Sequence, residues 1–362
     1  MLEVPMDCGS ITQRVFNNQK FYGSLRSPIA FIRNVYTTYE LQEMLLSSIY
    51  HPSNTYCYSV DINSKTGIFE KLQKLSRCLP NVILNPVKYK FDSWGHFQDR
   101  AHIKCLELVL EREWGHAIIL QNDDLILKPN EHLSELSEVL NSTSMIYMMK
   151  PTTSQNYLSE ADWTPAGLQL FKDESKVPGN ILHKPMKIWK GYNQMILSKI
   201  FIKSIFEHLN LEGIIERFDR KEFYGIDEML FQTLYRNNLG LDGQFISNCE
   251  EDIFDFGRLT KWSQNGTSDS YNLSCRSKLE RHSICIFGVE YLADFLETEF
   301  VIANKILENF DLAPLICMDE VLRGKKKIGK NWISKVELRK YPQFREMEMK
   351  HSGTYDREHF RC

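Results

Sequence analysis

Through the first 121 residues, apolar runs alternate with segments of helical spacing, and this alternation narrows the possible architectures most. Pro28-Ile-Ala-Phe-Ile-Arg-Asn-Val-Tyr36 reads as a buried strand. Residues 39–50 carry Leu41, Met44, Leu45 and Ile49 at helical spacing, and His51-Pro52 stops them. The pattern then repeats: strand 55–61, helix 66–76, strand 81–84, helix 94–112, strand 117–121. Strand, helix, strand, helix predicts a mostly parallel sheet covered on both faces. Ligands of such sheets bind beyond the carboxyl ends of the strands, where Asp61, Asp123 and Asp124 fall. The first ~150 residues therefore read as a nucleotide-binding half.

The second half is less regular. Residues 150–185 mix Thr, Ser, Asn, Pro and Gly with short apolar pieces and suggest an excursion over a cleft. Order returns at 188–197 and in a helix from Lys199 to about His208. Phe223-Tyr-Gly-Ile-Asp227-Glu228 leads into a helix over 229–235, and Ile284-Cys-Ile-Phe-Gly288 reads as a strand. From Arg323 onward Lys and Arg accumulate. The whole chain has 44 basic and 47 acidic side chains, so it lacks the strongly basic body of a duplex-DNA binder. No apolar stretch approaches the ~20 residues that a bilayer crossing requires, and the first twenty residues hold no signal-peptide core.

Several short motifs fail on context. Gly324-Lys-Lys-Lys-Ile-Gly329-Lys330 has phosphate-loop spacing, but Asn331 stands where a Ser or Thr must bind Mg²⁺, and no strand precedes it. Asp255-Phe256-Gly257 resembles the kinase metal motif without its companion loops. In Asn122-Asp123-Asp124 the acids are adjacent, whereas a diphosphate-metal site spaces them by one; capping or holding substrate hydroxyls is the better expectation. Nine cysteines without a C-x-x-C pair argue against a zinc ribbon. Sequons at Asn141, Asn265 and Asn272 tilt the chain toward an oxidising compartment.

Two stretches are more specific. The first is Pro28-Ile-Ala-Phe…Tyr39-Glu-Leu…Leu45-Leu46…Tyr56-Cys57…Val60-Asp61. The second is Arg281-His-Ser-Ile-Cys-Ile-Phe-Gly288…Ala303-Asn304-Lys305…Cys317-Met-Asp-Glu320. Together they resemble the core-2/I-branching β-1,6-N-acetylglucosaminyltransferases (glycosyltransferase family 14), which include peptide O-xylosyltransferases, with the divergent look of the nematode branch. The resemblance spans about residues 8–323. It implies a GT-A-like α/β fold with a mostly parallel central sheet and one catalytic domain over 28–322. Residues 28–150 would form the nucleotide-sugar half and 151–322 the acceptor and catalytic half. Residues 1–27 would be a stem remnant and 323–362 a basic C-terminal tail.

The implied reaction is an inverting transfer from a UDP-sugar to the 6-hydroxyl of a mucin-type O-glycan, with no cofactor and no metal. N-acetylglucosamine is the default donor sugar, with UDP-glucose or UDP-xylose as alternatives. The implied location is the Golgi lumen, with an N-terminal membrane anchor that this chain lacks. A non-catalytic, lectin-like relative and a metal-dependent transferase using Asp123 and Asp124 are the rival readings.

In-line attack needs a carboxylate to accept the hydroxyl proton and positive charge on the departing diphosphate. The resemblance gives the first role to Glu228 and the second to Lys305. The family's second diphosphate cation is an Arg where this chain has His282, with Arg281 one residue earlier. Val35 and Asp61 match positions near the uridine, while Tyr36 replaces a family His. Trp262, after Lys261, matches an acceptor-site tryptophan. The disulfides implied are Cys8–Cys78, Cys57–Cys105 and Cys275–Cys285. Cys317, whose family partner lies upstream of this chain, is left free or paired with Cys249 or Cys362.

Overall fold

The computed structural model describes residues 4–16, 22–149, 162–220, 224–262, 275–324 and 334–362. Its centre is a five-stranded sheet. Strands β1 (Ile29–Val35), β2 (Thr55–Val60), β3 (Val82–Leu84) and β4 (His116–Leu120) run parallel in the order β3-β2-β1-β4. All four lie where the sequence predicts them. A fifth strand, Met195–Ser198, joins β4 antiparallel and closes the order.

All seven residues of β1 are buried, which explains the apolar run Ile29–Ile32; the buried Arg33 and Asn34 side chains donate to the carbonyls of Gln121, Asp124 and Gln98. Its side chains alternate between two cores. Ile29, Phe31 and Val35 pack with Ile11, Tyr39 and Leu46 on one face; Ala30 and Ile32 pack with Leu106, Val109 and Phe201 on the other. Helix Tyr39–Ile49 starts at Thr38, whose hydroxyl accepts from the Leu41 amide. Helix Gln98–Val109 is shorter than the 94–112 expected. Residues 92–97 instead form a turn, in which Asp92 accepts from the Trp94 and His96 amides.

A second, three-stranded sheet positions the site. Strand Asp124–Ile126 pairs antiparallel with Ile302–Asn304, which pairs parallel with Arg258–Thr260. The register sets Asp124, Asn304 and Thr260 abreast. Residues separated by up to 180 positions thus meet beside the carboxyl ends of the main strands.

Three disulfides match those implied by the resemblance: Cys8–Cys78, Cys57–Cys105 and Cys275–Cys285. Cys249 and Cys362 bond to each other, so neither serves Cys317, which is free. That fourth bond draws in the segment that the sequence set apart as a basic tail. Helix Pro342–His351 buries Phe344, Glu346 and Met347 against the body. The Glu346 carboxylate accepts from the Ile246 and Ser247 amides, each at 2.9 Å. Among the described residues, no helix is long and apolar enough to cross a membrane.

Candidate active site

A cleft of about 330 Å³ opens where β1, β2 and β4 end. Tyr36, Asp61 and Gln121, each just past one of those strands, line one wall. The three-stranded sheet supplies the opposite wall with Arg258, Asn304 and Lys305, and Trp262 follows two residues after Thr260. Arg281 and His282 arrive on a hairpin: Glu280–Arg281 pairs antiparallel with Ile284–Cys285. His282 and Ser283 form its two-residue turn at φ 54° and 61°. Arg281 and His282 both border the cleft.

Asp227 and Glu228 belong to a single turn of tight helix, Ile226–Glu228, ahead of helix Leu230–Arg236. Gly225 enters this turn at φ 65°, and the Gly225 and Ile226 amides both donate to the Trp94 carbonyl. The two carboxylates then part company. Asp227 turns inward, accepting from Asn193 Nδ2 at 2.7 Å and Gln121 Nε2 at 3.3 Å. Burial, and then the charge of Glu228, push Asp227 up to about 7. Glu228 keeps about a quarter of its side chain exposed in the cleft, with Lys190 Nζ 3.4 Å from Oε2. Burial raises the Glu228 pKa as well, while Lys190 and Arg258 oppose the rise.

The acids at 123–124 are already engaged by the protein. Asp124 is fully buried and accepts from the Gln121 amide, both oxygens from Gln194 Nε2, and Oδ1 from Asn304 Nδ2 at 2.7 Å. Asp123 accepts from Asn122 and from the Tyr36 hydroxyl at 3.0 Å, and Arg281 lies 3.8 Å away. Among the described residues, no group of three or more His, Cys, Asp or Glu side chains is placed to hold a metal ion.

Cations dominate the wall facing the acids. Burial lowers the Lys305 pKa, with Arg258 and Arg281 adding like-charge repulsion and Asp123 opposing it. His282 is lowered by burial and then by Lys305 and Arg281, which favours its neutral form. Arg258 donates to Gln194 Oε1 at 2.7 Å and lies 4.3 Å over the Tyr192 ring.

Nine of the residues singled out in the sequence thus line one cleft: Tyr36, Asp61, Asp123, Asp227, Glu228, Trp262, Arg281, His282 and Lys305. Val35 does not; its side chain is buried in β1, and its carbonyl accepts from the Asp61 amide. Asn141 is exposed at the end of helix Asn130–Leu140, away from the cleft lining. Asn265 and Asn272 lie outside the described residues, as does most of the Gly324–Lys330 run. Lys190, Asn193, Gln194 and Arg258 were missed. Nothing local marks them, since each gains its place only by tertiary contact. A larger groove of about 760 Å³, bordered by Lys184, Trp189 and Arg357, contains none of the predicted site residues.

The family model for Core-2/I-Branching enzymes matches residues 29–295, which contain the central sheet and most of the cleft. The chain belongs to this family. Curated members similar to it carry the name β-1,3-galactosyl-O-glycosyl-glycoprotein β-1,6-N-acetylglucosaminyltransferase. The rat enzyme numbered 3 is 27% identical over 314 residues, covering 83% of this chain and 69% of the relative. That of bovine herpesvirus 4 (strain DN-599) is 28% identical over 317 residues with the same coverage. The human enzyme numbered 3 is 24% identical over 314 residues. This Core-2/I-branching protein is accordingly a glycosyltransferase.

Proposed function

We propose that the protein transfers a sugar, N-acetylglucosamine by default, from a UDP-sugar to the 6-hydroxyl of an O-glycan, with inversion and without a metal. The observation that carries this reading is one cleft holding Glu228 against Lys305 and Arg281. Asp61, at the end of β2, holds the nucleotide side, and Trp262 offers a face on which a sugar can stack. The Glu228 carboxylate takes the proton of the acceptor hydroxyl as its oxygen attacks the anomeric carbon. The bond from that carbon to the diphosphate oxygen breaks, and UDP leaves with the electron pair. Lys305 and Arg281 stabilise the growing charge on the diphosphate, with His282 as a neutral donor beside them. Asp123 and Asp124 are committed to protein partners, which supports the metal-free reading. Four disulfides and the sequons support work in the lumen of the Golgi, on glycoprotein acceptors.

The test is UDP release with UDP-N-acetylglucosamine, UDP-glucose and UDP-xylose in turn, a galactosyl-β1,3-N-acetylgalactosamine acceptor, and EDTA throughout. Acceptor-dependent release with one donor is the expected result. Glu228→Gln should lower kcat by roughly a thousandfold while UDP binding survives. Wild-type turnover in that variant would remove Glu228 from the mechanism. A folded protein that binds UDP-sugar but releases nothing with any donor would favour the lectin-like alternative.

A further inference from the structure

We propose that Lys190 is a positioning residue for the reaction, holding the cleft-lining Glu228 carboxylate in its ionised, acceptor-facing state through a direct ion pair. The inference rests on Glu228 being the base. Lys190 lies on the short strand Lys190–Gly191, which pairs with Met148–Met149, so its backbone is fixed independently of the turn that carries Glu228. Its Nζ is 3.4 Å from Glu228 Oε2, and each side chain is about three-quarters buried. The approach depends on Gly225. A Cβ at that position would lie 2.6 Å from Lys190 Nζ and 3.3 Å from Glu228 Oε2. A side chain at the entrance to the turn would displace the Lys190 tip, and the φ of 65° itself favours glycine there. The ammonium also lies 5.8 Å from the centroid of the Tyr224 ring, whose face favours a cation.

The charges around Glu228 show why such a partner matters. Asp227 is adjacent in the same turn and is raised by burial and then by the Glu228 charge, and Asp99, buried in helix Gln98–Val109, is raised by burial and then by Asp227. Burial favours a protonated, inert Glu228. Against it stand Lys190 and Arg258; Arg258 is also engaged by Gln194 and by the Tyr192 ring. Arg281, His282 and Lys305 line the same cleft, on the wall proposed to receive the diphosphate. Among the described residues, Lys190 is the cation in direct ion-pair contact with the Glu228 carboxylate.

The experiment is the pH dependence of kcat/KM for the acceptor in the wild type, Lys190→Met, Lys190→Gln and Lys190→Arg, with UDP affinity and thermal melting measured on each. Loss of the cation should move the acid limb of the profile upward by about one pH unit, the shift typical of removing one close opposite charge. Activity should recover toward the wild-type level on the alkaline side, and UDP affinity should be unchanged. Lys190→Arg should restore the limb. Lys190→Gln, polar and of similar length, serves if Lys190→Met does not fold. An acid limb unmoved in the neutral variants overturns the inference. So does a loss of acceptor affinity that is uniform in pH, since that would make Lys190 an acceptor contact. The two readings fail separately: an inactive Glu228→Gln with an unmoved limb removes only the role of Lys190, whereas an active Glu228→Gln removes the base itself.

Discussion

Gly95 shows how closely the inner carboxylate is confined. A Cβ at this position would lie 2.1 Å from Asp227 Oδ1, and the residue adopts φ 95°. Gly95→Ala therefore brings both strain and a clash: the Asp227 carboxylate in its path is held by Asn193 and Gln121, and the Asp227 backbone nitrogen lies 2.9 Å away. The expected cost is about 1–3 kcal/mol in a melting experiment, with turnover reduced because the displaced Asp227 shares its turn with Glu228. A different buried acid predicts a pH effect. Burial pushes Asp255 up to about 7, only partly opposed by hydrogen bonds from the Gly257 and Tyr147 backbone and by Arg258. Its folded pKa is above its unfolded value of about 3.9. The stability it contributes is therefore fully present below that value and is lost as pH rises through 7. Asp255→Asn, neutral at every pH, should melt higher relative to the wild type at pH 8 than at pH 5. A difference independent of pH would show that Asp255 does not titrate in this range. The Asp255-Phe256-Gly257 triplet thus has its explanation in packing: Asp255 and Phe256 are both buried.

Among the elements, the parallel strands were the most readable from sequence, for a physical reason. Covered on both faces, they need mostly apolar runs without a polar alternation, and β1, β2 and β4 come close to this. The Asp227-Glu228 pair was readable as a site only through the resemblance; an acid pair ahead of a helix is otherwise an ordinary favourable arrangement. The short strands were not readable. Arg258–Thr260 and Ile302–Asn304 have three residues each, too few to show a period, and they exist because each pairs with a distant partner. Lys190 and Arg258 were hidden for the same reason. Helix Pro342–His351 was hidden by its composition: its buried Glu346 and Gln343 read as solvent-facing. In fact Glu346 accepts two backbone amides and pairs with Lys350 at 2.6 Å, and Gln343 donates to the Ile146 and Phe254 carbonyls. Glu346→Ala would leave those amides without an acceptor. It should destabilise the protein by about 3 kcal/mol, measured by denaturant unfolding. A change within ~0.5 kcal/mol would mean that the helix contributes little to holding the body together.

At the scale of the whole molecule, the cleft is assembled from parts spread along the chain. The floor comes from strands ending at 35, 60 and 120, the carboxylates from 227 and 228, and the cations from 258, 281 and 305. The central strand of the small sheet, Ile302–Asn304, holds these contributions in register, with Asn304 bonded to Asp124 across 180 residues. Synthesis proceeds from the amino terminus, and early segments can begin folding while later ones are still being added. The parallel strands can therefore gather while the wall that faces them has yet to emerge from the ribosome. A chain released before residue 302 would retain the strand ends and both carboxylates. It would lack Lys305 and the strand that joins Arg258–Thr260 to Asp124–Ile126, and would leave an unpaired sheet edge for quality control to recognise.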